Sequence, residues 1–142
     1  MSVVRSFFTS LFLVLLSSGI ASAKPLPDPM LSNLFALTDV AASLSICANS
    51  SEFTSLSKGD QKSVHQLNRH IDKLVAKIAQ SFDPSLTKFY IDQRIELTQD
   101  ANKLAEMKQR YGNCGNGLIP QLRRYVYTSK KTLDEFFKAY NR

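Results

Sequence analysis

Glycine and proline are scarce in this 142-residue chain, with five of each. That scarcity excludes collagen-like and low-complexity classes. Two cysteines are too few for a disulfide-dense miniprotein. Charge of one sign is also modest: 18 Lys and Arg against 12 acids give a formal net charge of +6, far from a polybasic arm. What is present, 44% hydrophobic and 10% aromatic residues, disfavours disorder, and the length suits one globular domain.

The first 23 residues carry the three parts of a secretory signal in order. Arg5 is the charged start, Phe7 to Leu16 the apolar run, and Ala21-Ser22-Ala23 the small side chains of a cleavage site. The run is shorter than the roughly 20 apolar residues of a membrane span, and no later segment comes close, so no membrane span is expected. No Cys follows it to take a lipid. Cleavage after Ala23 leaves a secreted chain of 119 residues with 17 basic and 12 acidic side chains, with the periplasm favoured over the extracellular space. Asn49-Ser50-Ser51 reads as a glycosylation acceptor, a pattern loose enough to arise by chance.

Three prolines at 25, 27 and 29 predict a non-helical arm over 24–29, ahead of a single helical domain over 30–142. Leu31, Leu34, Leu37, Ala41, Leu44 and Ala48 recur at three and four, the spacing of a helix from Met30 to Ala48. Ser57, three residues before Asp60, opens a second helix whose stripe is Val64, Leu67, Ile71, Leu74, Val75, Ile78 and Phe82. Asp83-Pro84 starts a third. Its inner face is Leu86, Tyr90, Leu97, Ala101, Leu104, Met107 and Tyr111, and Gly112 suits the residue after a helix end. After a Gly- and Asn-rich loop, Pro120 opens a fourth helix with Leu122, Val126, Leu133, Phe136, Phe137 and Tyr140 inside.

Four amphipathic helices on short connections predict an all-α, antiparallel up-down-up-down four-helix bundle. That topology brings the end of the first helix to the loop between the third and fourth, and so Cys47 to Cys114. In an oxidising compartment the pair reads as a disulfide.

The sequence holds no HExxH, GxSxG, phosphate-loop or CxxC motif. His65 and His70 diverge by about 140° on a helix, too far to close on one metal. Carboxylate pairs such as Asp92 with Glu96 lie on outer faces among Lys and Arg. The chain therefore reads as a non-enzyme with no metal site and no cofactor. The loop from Gly112 to Gly117 is a candidate anion-binding nest, although a chain reversal accounts for its composition.

Basic residues concentrate in the later helices. Lys62, Arg69, Lys73 and Lys77 share an outer face of the second, and Arg124, Lys131 and Lys138 one of the fourth. Secretion makes nucleic acid a poor partner for them. The first helix is apolar almost all round, with Asp39 its single charge between Met30 and Ser51. Phe35 and Ile46 on its flank, and Ile91 and Ile95 at about 140° and 180° from Leu86 on the third helix, predict an apolar contact surface. The reading is a secreted helical protein that binds a protein partner or a second copy of itself, as an envelope regulator, inhibitor or immunity-type protein. The alternative is a carrier or sensor of a small apolar ligand, with Phe35, Phe82, Phe89, Tyr90, Met107, Phe136 and Phe137 lining a cavity in the bundle core.

Overall fold

The computed structural model describes residues 26–140. The expected signal sequence at 1–23 and the first two residues of the expected arm lie outside them. Every regular element among the described residues is helical: α1 (Asp28–Asn49), a 3₁₀ turn (Phe53–Ser55), α2 (Lys58–Ser81), α3 (Leu86–Gln99), α4 (Ala101–Tyr111), a π turn (Cys114–Leu118) and α5 (Ile119–Tyr140).

The expected arm is shorter than its prolines predict, because Asp28 and Pro29 belong to α1. Amides in the first turn of a helix have no intrahelical acceptor, so Pro29 forfeits nothing there. Pro27 caps that turn, its carbonyl accepting from the amides of Met30 and Leu31 at 2.9 and 3.0 Å. The start of α2 follows its local chemistry: the Ser57 hydroxyl accepts from the Asp60 amide at 3.1 Å. Ahead of α3, Asp83 Oδ1 accepts from the Ser85 amide at 2.9 Å; Pro84 and Ser85 form a turn, so the helix expected to start at Pro84 starts at Leu86.

The predicted third helix is two. Asp100 adopts an extended conformation and caps α4, its carboxylate accepting from the Asn102 amide at 2.8 Å. This interruption re-aims the second half. Lys103 turns inward beside Met107, which is buried as its spacing predicts, whereas Ala101 and Leu104, placed inside by an unbroken periodicity, are exposed. Gly112 closes α4 with φ 74°, in the left-handed region glycine tolerates. The Asn113 side chain then accepts from the amides of Asn116 and Gly117 at 2.9 and 3.2 Å, winding the chain into the π turn. Gly117 is required for contact, since a Cβ there would lie 1.8 Å from the Tyr111 carbonyl oxygen.

Because α1 is apolar all round, it takes the centre of the molecule instead of a corner. Its strongest contacts are with α2 and α3, and it also touches α4, α5 and the 3₁₀ turn. By length and composition α1 could cross a membrane, but 61% of its most apolar window is buried by the rest of this chain. The helix α5 packs on α2 and on the π turn, and makes at most marginal contact with α3 or α4. Sequential helices therefore do not all lie side by side. Met30, Leu34, Leu37 and Leu44 of α1 are fully buried with Val64, Ile71, Ile78 and Leu133.

Cys47 at the end of α1 is bonded to Cys114 at the start of the π turn, with Cα atoms 5.6 Å apart, inside the usual range for a bridge. The disulfide closes a sequence separation of 67 residues. In the chain-entropy picture that is worth about 4 kcal/mol.

Candidate functional site

Four of the large apolar side chains left exposed lie on two adjacent helices, Leu31 and Phe35 on α1, Ile91 and Ile95 on α3. Ile91 is 47% and Ile95 52% exposed, the outward direction their register predicts. Phe35 is 52% exposed and meets Phe89 edge to face, ring centroids 5.7 Å apart. Ile46, expected on the same surface, is only 8% exposed. The turn at Asp100 swings α4 across that flank of α1, so Ile46 lines a small cavity with Leu104 and Met107 beside the disulfide.

Ile91 and Ile95 border an open groove between α1 and α3, whose other wall carries Ser45 and Asn49. Arg94 forms part of its floor and is held on three sides. Its Nε donates to the Ser45 hydroxyl at 3.0 Å, and its guanidinium donates to Asp72 at 3.2 Å and to the Tyr90 oxygen at 3.3 Å. The Tyr90 hydroxyl donates in turn to Asp72 at 2.7 Å. Burial, and then the bond to Asp72, raise the Tyr90 phenol well above its ordinary range, with Arg94 opposing. The network ties α1, α2 and α3 together below the isoleucines. It positions that surface.

A second polar contact was not foreseen from sequence. Lys103 of α4 is buried, its side chain 4% exposed, and its ammonium donates to Asp39, the one charge of α1 beyond its first residue. Glu106 lies 3.8 Å away on the other side. The only signal in the sequence is Asp39 itself, a lone carboxylate in an apolar helix that requires a partner.

The loop offers less to an anion than its composition predicts. The Cys114 amide donates to Glu52 at 3.1 Å, so the carboxylate of this chain occupies the position an external anion would take. His65 is exposed beside the Phe53 ring and His70 half-buried beside Tyr127. Among the described residues no three His, Cys, Asp or Glu side chains gather as a metal group.

The aromatics proposed to line a ligand cavity fall in separate places. Phe82 packs with Phe136, Phe137 and Tyr140 where α2 and α5 end, at centroid distances of 6.3, 6.2 and 5.5 Å. Phe35 and Phe89 form their own pair, Tyr90 belongs to the arginine network, and Met107 lies by the disulfide. The cavity there holds about 60 Å³, against at least about 300 Å³ for a typical ligand pocket.

Lys62, Arg69, Lys73 and Lys77 of α2, and Arg124, Lys131 and Lys138 of α5, are all exposed. Lys77 pairs with Asp134 at 3.3 Å and Lys130 with the same carboxylate at 3.1 Å. Those two hydrogen bonds, Lys130 first, hold the Asp134 carboxyl below its ordinary value. Comparison with family models, with curated proteins and with solved structures returns no match for this chain.

Proposed function

We propose that the chain is a secreted, non-enzymatic helical protein that binds a protein partner through the apolar surface of α1 and α3, in a regulator, inhibitor or immunity-type role in the cell envelope. The observation that carries this reading is the pair Ile91 and Ile95, each about half exposed, one helical turn apart beside a groove with a fixed floor. Adjacent exposed aliphatics of this kind mark contact surfaces when they continue onto a neighbouring element. The neighbouring α1 exposes Phe35 and Leu31 as well.

Export rests on the signal-like segment at 1–23 and agrees with the Cys47–Cys114 disulfide, which persists in oxidising compartments. The periplasm is the compartment we favour. We read the helix directions as those of an antiparallel up-down-up-down bundle in which α3 and α4 together form the third member, although this third member and α5 do not pack side by side. Two registers support it. Phe35 meets Phe89 and Ser45 meets Arg94, so α1 and α3 run the same way. Ser63 meets Arg123 and Lys77 meets Asp134, so α2 and α5 do too. The carrier reading has less support, because its aromatics are dispersed and the cavity by the disulfide is small.

The test is native mass spectrometry of protein purified from its own source, repeated on Ile91→Lys/Ile95→Lys. The reading expects a bound protein, or a second copy, that is lost in the double variant while the melting temperature stays within about 2 °C, as exposed substitutions usually allow. A variant that melts many degrees lower yet keeps its partner would refute it. A retained lipid-sized mass would favour the carrier.

A further inference from the structure

The two basic rows are separated in sequence by about 60 residues, and packing makes them one surface. Ser63 meets Arg123, His70 meets Tyr127 and Lys77 meets Asp134, so α2 and α5 lie parallel and in register. At 100° per residue, Lys62, Arg69 and Lys73 fall just beyond that seam on α2, away from its buried stripe. Arg124, Lys131 and Lys138 fall just beyond it on α5. Because the helices run the same way, the two displacements carry both rows to the same outer side. With Lys77, Arg123 and Lys130 on the seam, the face presents nine exposed cations, against Asp134 and Glu135 as its carboxylates. It extends for about 23 Å from Arg123 to Lys138 at 1.5 Å per residue.

We infer that this α2/α5 face docks on an anionic lipid surface. Charge complementarity fixes the sign of the partner, and it makes a second copy of this chain unsuitable because like faces would repel. The apolar content of the face distinguishes a bilayer from a folded acidic protein. Specific protein interfaces need a desolvated apolar centre, and the exposed aliphatic side chains Leu31, Ile91, Ile95 and Leu104 all lie on α1, α3 and α4. The large hydrophobic side chain this face exposes is Tyr127, at 53%. Tyrosine has an apolar ring and a polar tip that suit the headgroup layer. A planar array of mostly lysine point charges gains attraction from each headgroup charge without needing a shaped pocket. This inference stands apart from the α1/α3 reading. On α2, Asp72 faces α3 whereas His70 and Lys77 face α5, about 140° to 160° away, so the two surfaces flank α2 on opposite sides.

The experiment is cosedimentation of the full mature protein with vesicles of phosphatidylcholine alone, or containing 30% phosphatidylglycerol, at low and high salt. Binding to the anionic vesicles alone is expected, falling as salt screens the face. Lys73 and Lys131 take part in no ion pair among the described residues. Lys73→Gln/Lys131→Gln should therefore keep the fold and lower the partition coefficient by about 25-fold, fivefold for each charge. Arg69→Gln/Arg124→Gln should act likewise, and Ile91→Lys/Ile95→Lys should not weaken the binding. Equal sedimentation with neutral vesicles, or anionic binding indifferent to both glutamine pairs, overturns the inference. So does salt-sensitive capture of poly-glutamate without vesicle binding, which would assign the face to an acidic protein.

Discussion

Removing the Asp39 carboxylate while leaving Lys103 is the sharpest perturbation this fold offers. The Lys103 side chain is 4% exposed and the Asp39 side chain 41%, so the two ends of the pair have unequal alternatives. Asp39 without Lys103 can turn to water; Lys103 without Asp39 keeps only Glu106, at 3.8 Å. Breaking a buried pair from one side typically costs about 3–5 kcal/mol because a charge is left unpaired in the interior. Partial exposure of Asp39 and the presence of Glu106 bring the expected cost of Asp39→Ala to about 2–3 kcal/mol. Lys103→Met retains the buried methylenes and abolishes the charge, so it should cost about 1 kcal/mol or less. The double variant should resemble Lys103→Met alone, a coupling of about 2 kcal/mol. Urea unfolding at pH 7, followed by far-ultraviolet circular dichroism on oxidised protein, gives all four free energies. If Asp39→Ala lies within 0.5 kcal/mol of the parent, or Lys103→Met is the worse of the two singles, the buried ammonium does not depend on Asp39 and the reasoning fails.

Cys47→Ser/Cys114→Ser should lose about 4 kcal/mol, the value for closing a loop of this length, and titration of the native parent should find no free thiol; two reactive thiols would contradict the bridge. The raised Tyr90 phenol sets a sign in alkali. The unfolded tyrosine loses its proton near pH 10 while the folded one keeps it, so Tyr90 makes stability fall as pH rises from about 10 toward its folded value. Ultraviolet titration should show one of the five tyrosines lagging the rest, and Tyr90→Phe should remove the lag and flatten that part of the pH dependence. Asp100→Ala should cost about 1 kcal/mol as a lost cap. Gly117→Ala should be worse than that, since the contact at 1.8 Å involves backbone; equal midpoints for the two would show that the π turn yields more easily than its packing implies.

What could be read from sequence was what local chemistry decides. The Ser57 cap, the glycine closing at 112 and the stripe of α2 each depend on residues within one or two turns, and each is where its residues place it, whereas the helix expected to begin at Pro84 begins at Leu86. The disulfide was legible because topology and compartment pointed to the same pair. The break at Asp100 was not, since apolar spacing runs on through it and a single Asp reads equally as a surface residue or a cap. Lys103 followed from that error: the periodicity pointed Leu104 inward, and the partner that rewards burying a lysine is 64 residues away on α1. Ile46 failed for a different reason. A helix apolar all round has no wet face to orient it, so its sequence says how much surface it must bury and nothing about which neighbour covers which flank.

That same lack of orientation in α1 organises the rest of the molecule. A helix that demands cover on every side gathers α2 and α3 most closely, with α4 and α5 completing the shell. The partners α3 and α5 then fall on opposite flanks of α2, and the two chemistries left exposed are kept apart. Apolar side chains remain where α3 meets α1, because α3 carries isoleucines on the side turned from the core. Cations remain where α2 meets α5, because both rows lie just beyond one seam. With no residue shared between them, substitutions at Ile91 and Ile95 should add to substitutions at Lys73 and Lys131 within about 0.5 kcal/mol in stability. A larger coupling would mean that the surfaces communicate through α2, and the Asp72, Tyr90 and Arg94 network is the contact through which it would have to pass.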